Sequence, residues 1–289
     1  MKPLAPPAQR ICLIGGGNMA GALIGGLGAN PQSNTNAIVV AGVVETSAQR
    51  RSELSAQFAA PALPVFGSLG EAEQAGALAV DAIVLAVKPQ QLRAVAQALA
   101  PHIGQATVVS IAAGIRTTDL SRWLSGYARI VRAMPNTPAL VGAGMTGLFS
   151  GPATTPADRD LAQRIMAAVG ETLWVAVERD LDTVTALSGS GPAYVFYWME
   201  AMIAAGTRLG LPPATAQELS IATFRGAAKL AAESTESPAR LREQVTSPGG
   251  TTAAALSMQA NHGVAAGIEA AVEAAFQRAG ELGDQASVD

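Results

Sequence analysis

The chain has 289 residues, 49% hydrophobic and 14% charged, and 19 Lys and Arg against 22 Asp and Glu leave a formal net charge of −3. That length predicts two domains, because it reaches the size at which a single hydrophobic core stops growing and chains split, and the composition excludes a disordered chain. Slight acidity, with a pI near 5.5, gives nucleic acid or an anionic membrane surface no electrostatic footing as a partner.

Met1 to Arg10 is proline-rich and reads as a frayed tail. From Ile11 to Val44 no residue is charged, which raises the question of a signal peptide or a membrane span; Gly15, Gly16, Gly17, Gly21, Gly25, Gly26 and Gly28 make poor helix material for either. Runs rich in Val and Ile at Ile11–Ile14, Ala37–Val44, Ala82–Val87, Thr107–Ile111 and Arg129–Met134 predict strands buried on both faces. Helix-compatible segments alternate with them at Met19–Leu27, Ala48–Phe58, Pro89–Leu99 and Thr118–Leu124. The alternation predicts a doubly wound α/β domain about a mostly parallel sheet, completed by a helix over Pro156–Val169 and a strand over Thr172–Val177.

Beyond Asp180 the apolar spacing turns helical, at Val195, Trp198, Met199, Met202, Gly206 and Leu209 and again from Ile268 to Ala279. Gly210–Pro213 and Ser247–Gly250 break the helices. The expected organisation is a dinucleotide-binding domain over 1–178 and an all-α domain over 179–289, whose Ala- and Gly-rich helices suit an intertwined homodimer.

Gly15-Gly16-Gly17-Asn18-Met19-Ala20 follows the first strand and opens the first helix, the setting in which a G-x-G-x-x-G/A loop binds a dinucleotide. Gly15 permits the tight turn, Gly17 lets a pyrophosphate approach the backbone, Ala20 keeps the helix close to the strand, and the helix start offers free N–H donors. Glu45, at the end of the second strand, is placed to accept a ribose diol or to stand solvated at a helix start, and Arg50 and Arg51 are near enough to reverse a preference for NAD. Cofactor choice between NADPH and NADH stays open. Ala86-Val87-Lys88-Pro89 and Met134-Pro135-Asn136-Thr137-Pro138 end the third and fifth strands, where an open α/β sheet forms its ligand crevice. Lys88 reaches the cofactor or snorkels at the surface, and Asn136 meets a ligand or stabilises its turn.

In the helical half, Val245-Thr246-Ser247-Pro248-Gly249-Gly250-Thr251-Thr252 makes a tight turn before a helix, with two threonines able to cap. Such a turn presents N–H groups and hydroxyls to one point and suits a small carboxylate; an ordinary helix start is the alternative. Ser188 to Tyr194 makes a similar turn, read as packing. His102 and His262 lie too far apart for a zinc pattern and sit at helix ends, as surface or capping residues, and no metal site is expected. Cys12, the only cysteine, lies inside a strand as an inert core residue.

These blocks, with Leu187 to Tyr194, occur together in an order that resembles the pyrroline-5-carboxylate reductase family from about Ile11 to Leu282, most specifically over Pro238–Leu256. The resemblance implies reduction of the C=N bond of 1-pyrroline-5-carboxylate by NAD(P)H to L-proline, the last step of proline biosynthesis; the single cysteine, which excludes an internal disulfide, points to a reducing compartment, read as the cytoplasm. It implies an N-terminal Rossmann-type domain, a helical domain that forms a homodimer or larger homo-oligomer, and an active site between the cofactor and a helical turn. Ser247, Gly250, Thr251 and Thr252 would hold the substrate carboxylate, with Ala86, Val87, Lys88, Pro89 and Asn136 about the nicotinamide end and Asn136 also reaching the substrate. Gln259 and Ala260 depart from the family pattern, which there continues with a leucine and an acidic residue.

The chemistry agrees. A ketone reductase needs a positioned His, Lys or Tyr to protonate an alkoxide, whereas a protonated imine already carries its charge and asks mainly for geometry. Thr252 is the expected contact to the ring nitrogen. A β-hydroxyacid dehydrogenase fits less well, because Gly191 is followed by Tyr194, Val195 and Phe196 with no lysine before Lys229. A dinucleotide-sensing dimer without activity leaves the Ser247–Thr252 turn unexplained.

Overall fold

The computed structural model describes residues 8–29, 37–60 and 62–288. In chain order they form β1 (Gln9–Ile14), α1 (Asn18–Ala29), β2 (Ile38–Val44), α2 (Ala48–Gln57), β3 (Val65–Phe66), α3 (Leu69–Gln74), β4 (Ala82–Leu85), α4 (Pro89–Leu99), β5 (Thr107–Ser110), α5 (Thr117–Trp123), β6 (Ile130–Met134), β7 (Gly144–Ser150), α6 (Pro156–Ala167), β8 (Gly170–Trp174) and α7 (Asp180–Val184). Five helices follow: α8 (Gly191–Arg208), α9 (Pro213–Glu233), α10 (Pro238–Gln244), α11 (Thr251–Asn261) and α12 (Val264–Val288). The chain divides into two units, one of residues up to Gly189 with those from Ala275 onward, the other of Ser190–Ala274.

In the first unit one sheet runs β3-β2-β1-β4-β5-β6-β7-β8, parallel except where β7 meets β6. Alternate residues of a strand face opposite sides, and both sides are buried here. Cys12, Ile14, Ile83, Leu85 and Val108 pack with Leu92, Leu99 and Leu120, while Ile11, Leu13, Val84, Val109 and Val131 pack with Leu23, Leu161 and Ile165. Each such side chain contributes roughly 1.5–3 kcal/mol, so the central strands form the most strongly held part of the sheet. Helix boundaries follow local chemistry. α4 starts with Pro89 in its first turn and buries Leu92, Ala96 and Leu99, and α6 opens on a reciprocal capping box between Thr155 and Asp158.

Asp158 is also a buried ion-pair partner in this unit. It accepts from Thr107 Oγ1 at 2.6 Å and from Arg129 Nη2 at 2.6 Å. Burial opposes its ionisation, but the hydrogen bonds from Arg129, Thr107 and Thr155 prevail and hold the carboxyl well below the usual range.

Several expectations change. Gln9 and Arg10 belong to β1 rather than to a frayed tail, since the Arg10 amide donates to Asp81 Oδ2 at 2.7 Å and its guanidinium to the Ala79 carbonyl at 3.1 Å; the rest of that tail lies outside the described residues, apart from Ala8. Strand β4 stops at Leu85, because Ala86 and Val87 turn to meet the glycine loop. The last strand is Gly170–Trp174, two residues earlier than expected at its start. Strands β3 and β7 and helix α3 go beyond the sequence reading.

In the second unit α8 and α9 pack closely at Gly206, where a Cβ would lie 3.2 Å from Ala216 Cβ, tighter than ordinary contact. Phe196, Tyr197, Leu219 and Leu230 are more than half exposed. The end of α12 belongs to the first unit, where Ser287 Oγ donates to Asp119 Oδ2 at 2.7 Å and Arg116 pairs with Asp284 at 2.5 Å. No helix among the described residues is long and apolar enough to cross a membrane.

Candidate functional site

The sheet order reverses between β1 and β4, whose registers pair Ile11 with Ala82 and Ile14 with Leu85. The loops that leave the carboxyl ends of these two strands are therefore neighbours, as a crevice at a topological switch point requires. Gly15 has φ +99, and a Cβ on it would lie 2.6 Å from the Ala86 carbonyl oxygen, so only glycine lets the two loops meet. The Gly15 amide donates to the Val44 carbonyl at 2.8 Å and the Ala86 amide to that of Ile14 at 2.8 Å, which pins both turns to the sheet. Gly17 differs, with no protein atom within 4 Å of its would-be Cβ. That open position precedes Asn18 and Met19 in the first turn of α1, while Ala20 is fully buried against the sheet. The donors and the space fit a pyrophosphate.

Glu45 lies between this loop and the start of α2. Its Oε2 accepts from the Gly16 amide at 2.9 Å and its Oε1 from the Ser47 amide at 2.7 Å. Lys88 is exposed at the start of α4, makes no side-chain cap there, and leaves Pro89 as the first helical residue. Asn136 has a fully engaged amide. Its Nδ2 donates to Ser188 O at 3.2 Å and Ser188 Oγ at 3.1 Å, and its Oδ1 accepts from the Met145 amide at 2.9 Å. It thereby ties the turn after β6 to the π-helical segment Thr185–Gly189. Gly189 fits that junction because a Cβ would lie 2.6 Å from Met134 Cε.

In the second unit the Ser247–Thr252 turn forms as the prolines and glycines dictate. Gly249 has φ +70, and the Gly250 amide donates to the Ser247 carbonyl at 3.1 Å. The threonines do not cap. Gly250 is itself the N-cap, with extended backbone and no side-chain cap, and Thr251 and Thr252 are the first helical residues of α11. First-turn amides have no intrahelical acceptor, so the helix presents bare N–H groups and two threonine side chains together. Ser247 Oγ lies beside the turn, 2.5 Å from where a Cβ at Gly250 would stand, so glycine leaves that hydroxyl its place.

The histidines stand apart from these features. His102 Nδ1 lies 2.6 Å from Glu73 Oε1, and His262 caps α11, its Nδ1 donating to the Met258 carbonyl at 2.9 Å. Cys12 is fully buried, and burial pushes its thiol up to about 12. Three contributions went beyond the sequence reading. They are the partnership of Ser188 with Asn136, the bond from Arg50 Nε to the Gly16 carbonyl at 2.6 Å, and the buried Arg132, paired with Glu178 and Asp182.

Comparison with known proteins follows the same division. A family model described as pyrroline-5-carboxylate reductase dimerisation matches residues 178–282, and one described as NADP oxidoreductase, coenzyme F420-dependent, matches 10–114. A pyrroline-5-carboxylate reductase of Pseudomonas aeruginosa is 45% identical over 280 residues, covering 96% of this chain and 97% of that protein. Among solved structures, the Coxiella burnetii pyrroline-5-carboxylate reductase superposes with a TM-score of 0.85 at 39% identity, over 96% of this chain and 99% of that one. The Plasmodium falciparum enzyme, solved with NADP bound, gives 0.80 at 27% identity over 95% and 98%.

Proposed function

The chain belongs to the pyrroline-5-carboxylate reductase family, and from that premise we propose how its residues divide the work. It reduces 1-pyrroline-5-carboxylate to L-proline with NAD(P)H, the last step of proline biosynthesis. Residues 1–178 bind the dinucleotide: Gly15, Gly17, Asn18, Met19 and Ala20 form the phosphate cradle, and Ala86, Val87, Lys88 and Pro89 border the nicotinamide end. Residues 179–289 serve substrate binding and self-association. The dimerisation match over 178–282 and the exposed Phe196, Tyr197, Leu219 and Leu230 support a homodimer unit from which a larger homo-oligomer can be built. A reducing cytoplasm suits the free Cys12 thiol.

The observation that carries the substrate side is the uncapped start of α11. Its bare amides and positive dipole end favour a carboxylate, so Ser247, Gly250, Thr251 and Thr252 hold that of the substrate. Thr252, with its hydroxyl on the first helical turn, contacts the ring nitrogen. Bound NAD(P)H supplies the hydride. A protonated imine is neutralised as hydride reaches its carbon, so these residues orient the ring and need not donate a proton to its nitrogen. Asn136 serves the substrate side through position, holding its turn against Ser188.

Purified protein given 1-pyrroline-5-carboxylate should consume reduced nicotinamide, followed by absorbance with NADH and NADPH supplied separately, and should yield proline. Absence of oxidation with both coenzymes would remove the activity.

A further inference from the structure

The first unit holds a cavity of about 680 Å³ lined from β6, the start of α7 and the later turns of α12, and none of the residues assigned above to coenzyme or substrate lines it. A volume of that size suits a small-molecule ligand. Two oppositely charged side chains reach it from the interior. Arg132 and Asp182 are only 4% and 9% exposed, a depth at which charges are normally hydrogen-bonded as well as paired. Theirs are not. Arg132 Nη2 stands 3.6 Å from Asp182 Oδ1, too far for a hydrogen bond. Of its five N–H donors, Arg132 uses one, from Nη1 to Glu178 Oε1 at 3.4 Å, and Asp182 accepts none from the described residues. Glu178 is committed elsewhere, its oxygens taking the Thr117 amide at 2.7 Å and the Thr117 hydroxyl at 2.8 Å.

The other charges of the wall differ in how far they are engaged. Asp284 pairs with Arg116 at 2.5 Å, and Glu281 with Arg278 at 2.6 Å. Arg179 has no carboxylate partner among the described residues, and its guanidinium lies over the Phe276 ring, 5.9 Å from the centroid. The cavity therefore offers two guanidinium groups and one carboxylate with hydrogen bonds still to make. A ligand that completes all three carries two anionic groups and one cationic group.

We infer that this cavity is a binding site for an acidic amino acid, with one carboxylate on Arg132, the second on Arg179 and the ammonium on Asp182. A guanidinium meets a carboxylate through two parallel bonds, and an ammonium brings three donors to a carboxylate that has none. Inorganic phosphate, anionic throughout, would set a like charge against Asp182. The site stands independently of the residues assigned to coenzyme and substrate.

The test is a calorimetric titration of the full-length protein with L-glutamate, with glutarate, which lacks the ammonium, and with 4-aminobutyrate, which lacks the second carboxylate. L-Glutamate should bind more tightly than either by on the order of 10- to 100-fold. Asp182→Asn should erase its advantage over glutarate, while glutarate itself still binds and so shows the variant folded. Arg179→Ala, a change at an exposed side chain, should erase its advantage over 4-aminobutyrate and leave 4-aminobutyrate binding as it was. The proposal is overturned if L-glutamate gives no binding heat, which leaves the cavity to water, or if it binds no better than the two truncated probes. It is equally overturned if both variants bind L-glutamate as wild type does, which places the ligand elsewhere, the α11 turn included.

Discussion

Gly15 and Gly17 are two residues apart in one loop, and replacing each by alanine should produce opposite signatures. At Gly15 the backbone has φ +99, and the new methyl would meet the Ala86 carbonyl oxygen at 2.6 Å and Val87 Cγ1 at 2.9 Å, where ordinary contacts begin at 3.4 Å. Left-handed backbone costs an L residue roughly 1–2 kcal/mol, and forcing extra volume into a packed site adds roughly 1–3 kcal/mol. Gly15→Ala should therefore lose about 2–5 kcal/mol of stability. At Gly17 nothing lies within 4 Å and φ is outside the left-handed range, so Gly17→Ala should change stability by no more than about 1 kcal/mol. Its methyl instead occupies room that the pyrophosphate needs, and NADPH affinity should fall by on the order of 10-fold or more, the equivalent of 1.4 kcal/mol. Guanidinium denaturation reads the first quantity and coenzyme fluorescence titration the second. A Gly17→Ala protein that binds NADPH as wild type does, or that unfolds as early as Gly15→Ala, would refute the reasoning.

Thr252→Val keeps the shape of the side chain and removes its hydroxyl. Turnover should drop by on the order of 100-fold while NADPH titrates as before, and unchanged steady-state rates would take Thr252 out of the mechanism. Asp158→Asn should cost about 2–3 kcal/mol in chemical denaturation, at or below the lower end of the range for a broken buried pair because Arg129 keeps 30% of its side chain in water. The folded carboxyl titrates below its unfolded value, so its contribution is complete above about pH 4 and is lost as the pH falls through the lower folded value. The wild-type advantage over Asp158→Asn should shrink on acidification across that window, and a gap constant with pH would contradict the assignment. Cys12, buried and with its thiol pushed up to about 12, should resist alkylation in the native protein and react fully once unfolded, as judged by intact mass.

How much of this could be read from residues alone depended on how local the cause was. Pro89–Leu99 is a helix over the residues expected because Pro89 sets its start and Leu92, Ala96 and Leu99 set its face. The glycine loop and the Ser247–Thr252 turn were equally legible, since glycine and proline act through their own backbone. β3 is only Val65–Phe66, too short for any period, and exists because Val43 and Val44 offer it an edge. β7 begins among glycines and runs antiparallel to β6, which no alternation in the sequence announces. Glu45 and Asn136 were found by position, but their work is set by partners distant in sequence, Gly16 and Ser188. Arg132 sits in a run that reads as apolar, and only the approach of Glu178 and Asp182 explains a buried charge there.

The strand order also governs how the protein is made. β1 is made before β4, so one of its edges waits for Ala82–Leu85, and the turn at Gly15, tied to Val44, lacks its second neighbour until Ala86 arrives. Until then the uncharged stretch from Ile11 to Val44 travels without its cover, a span in which a nascent chain is open to chaperones and to self-association. The glycine loop should consequently gain its second wall in a single step, once the fourth strand slides in beside the first.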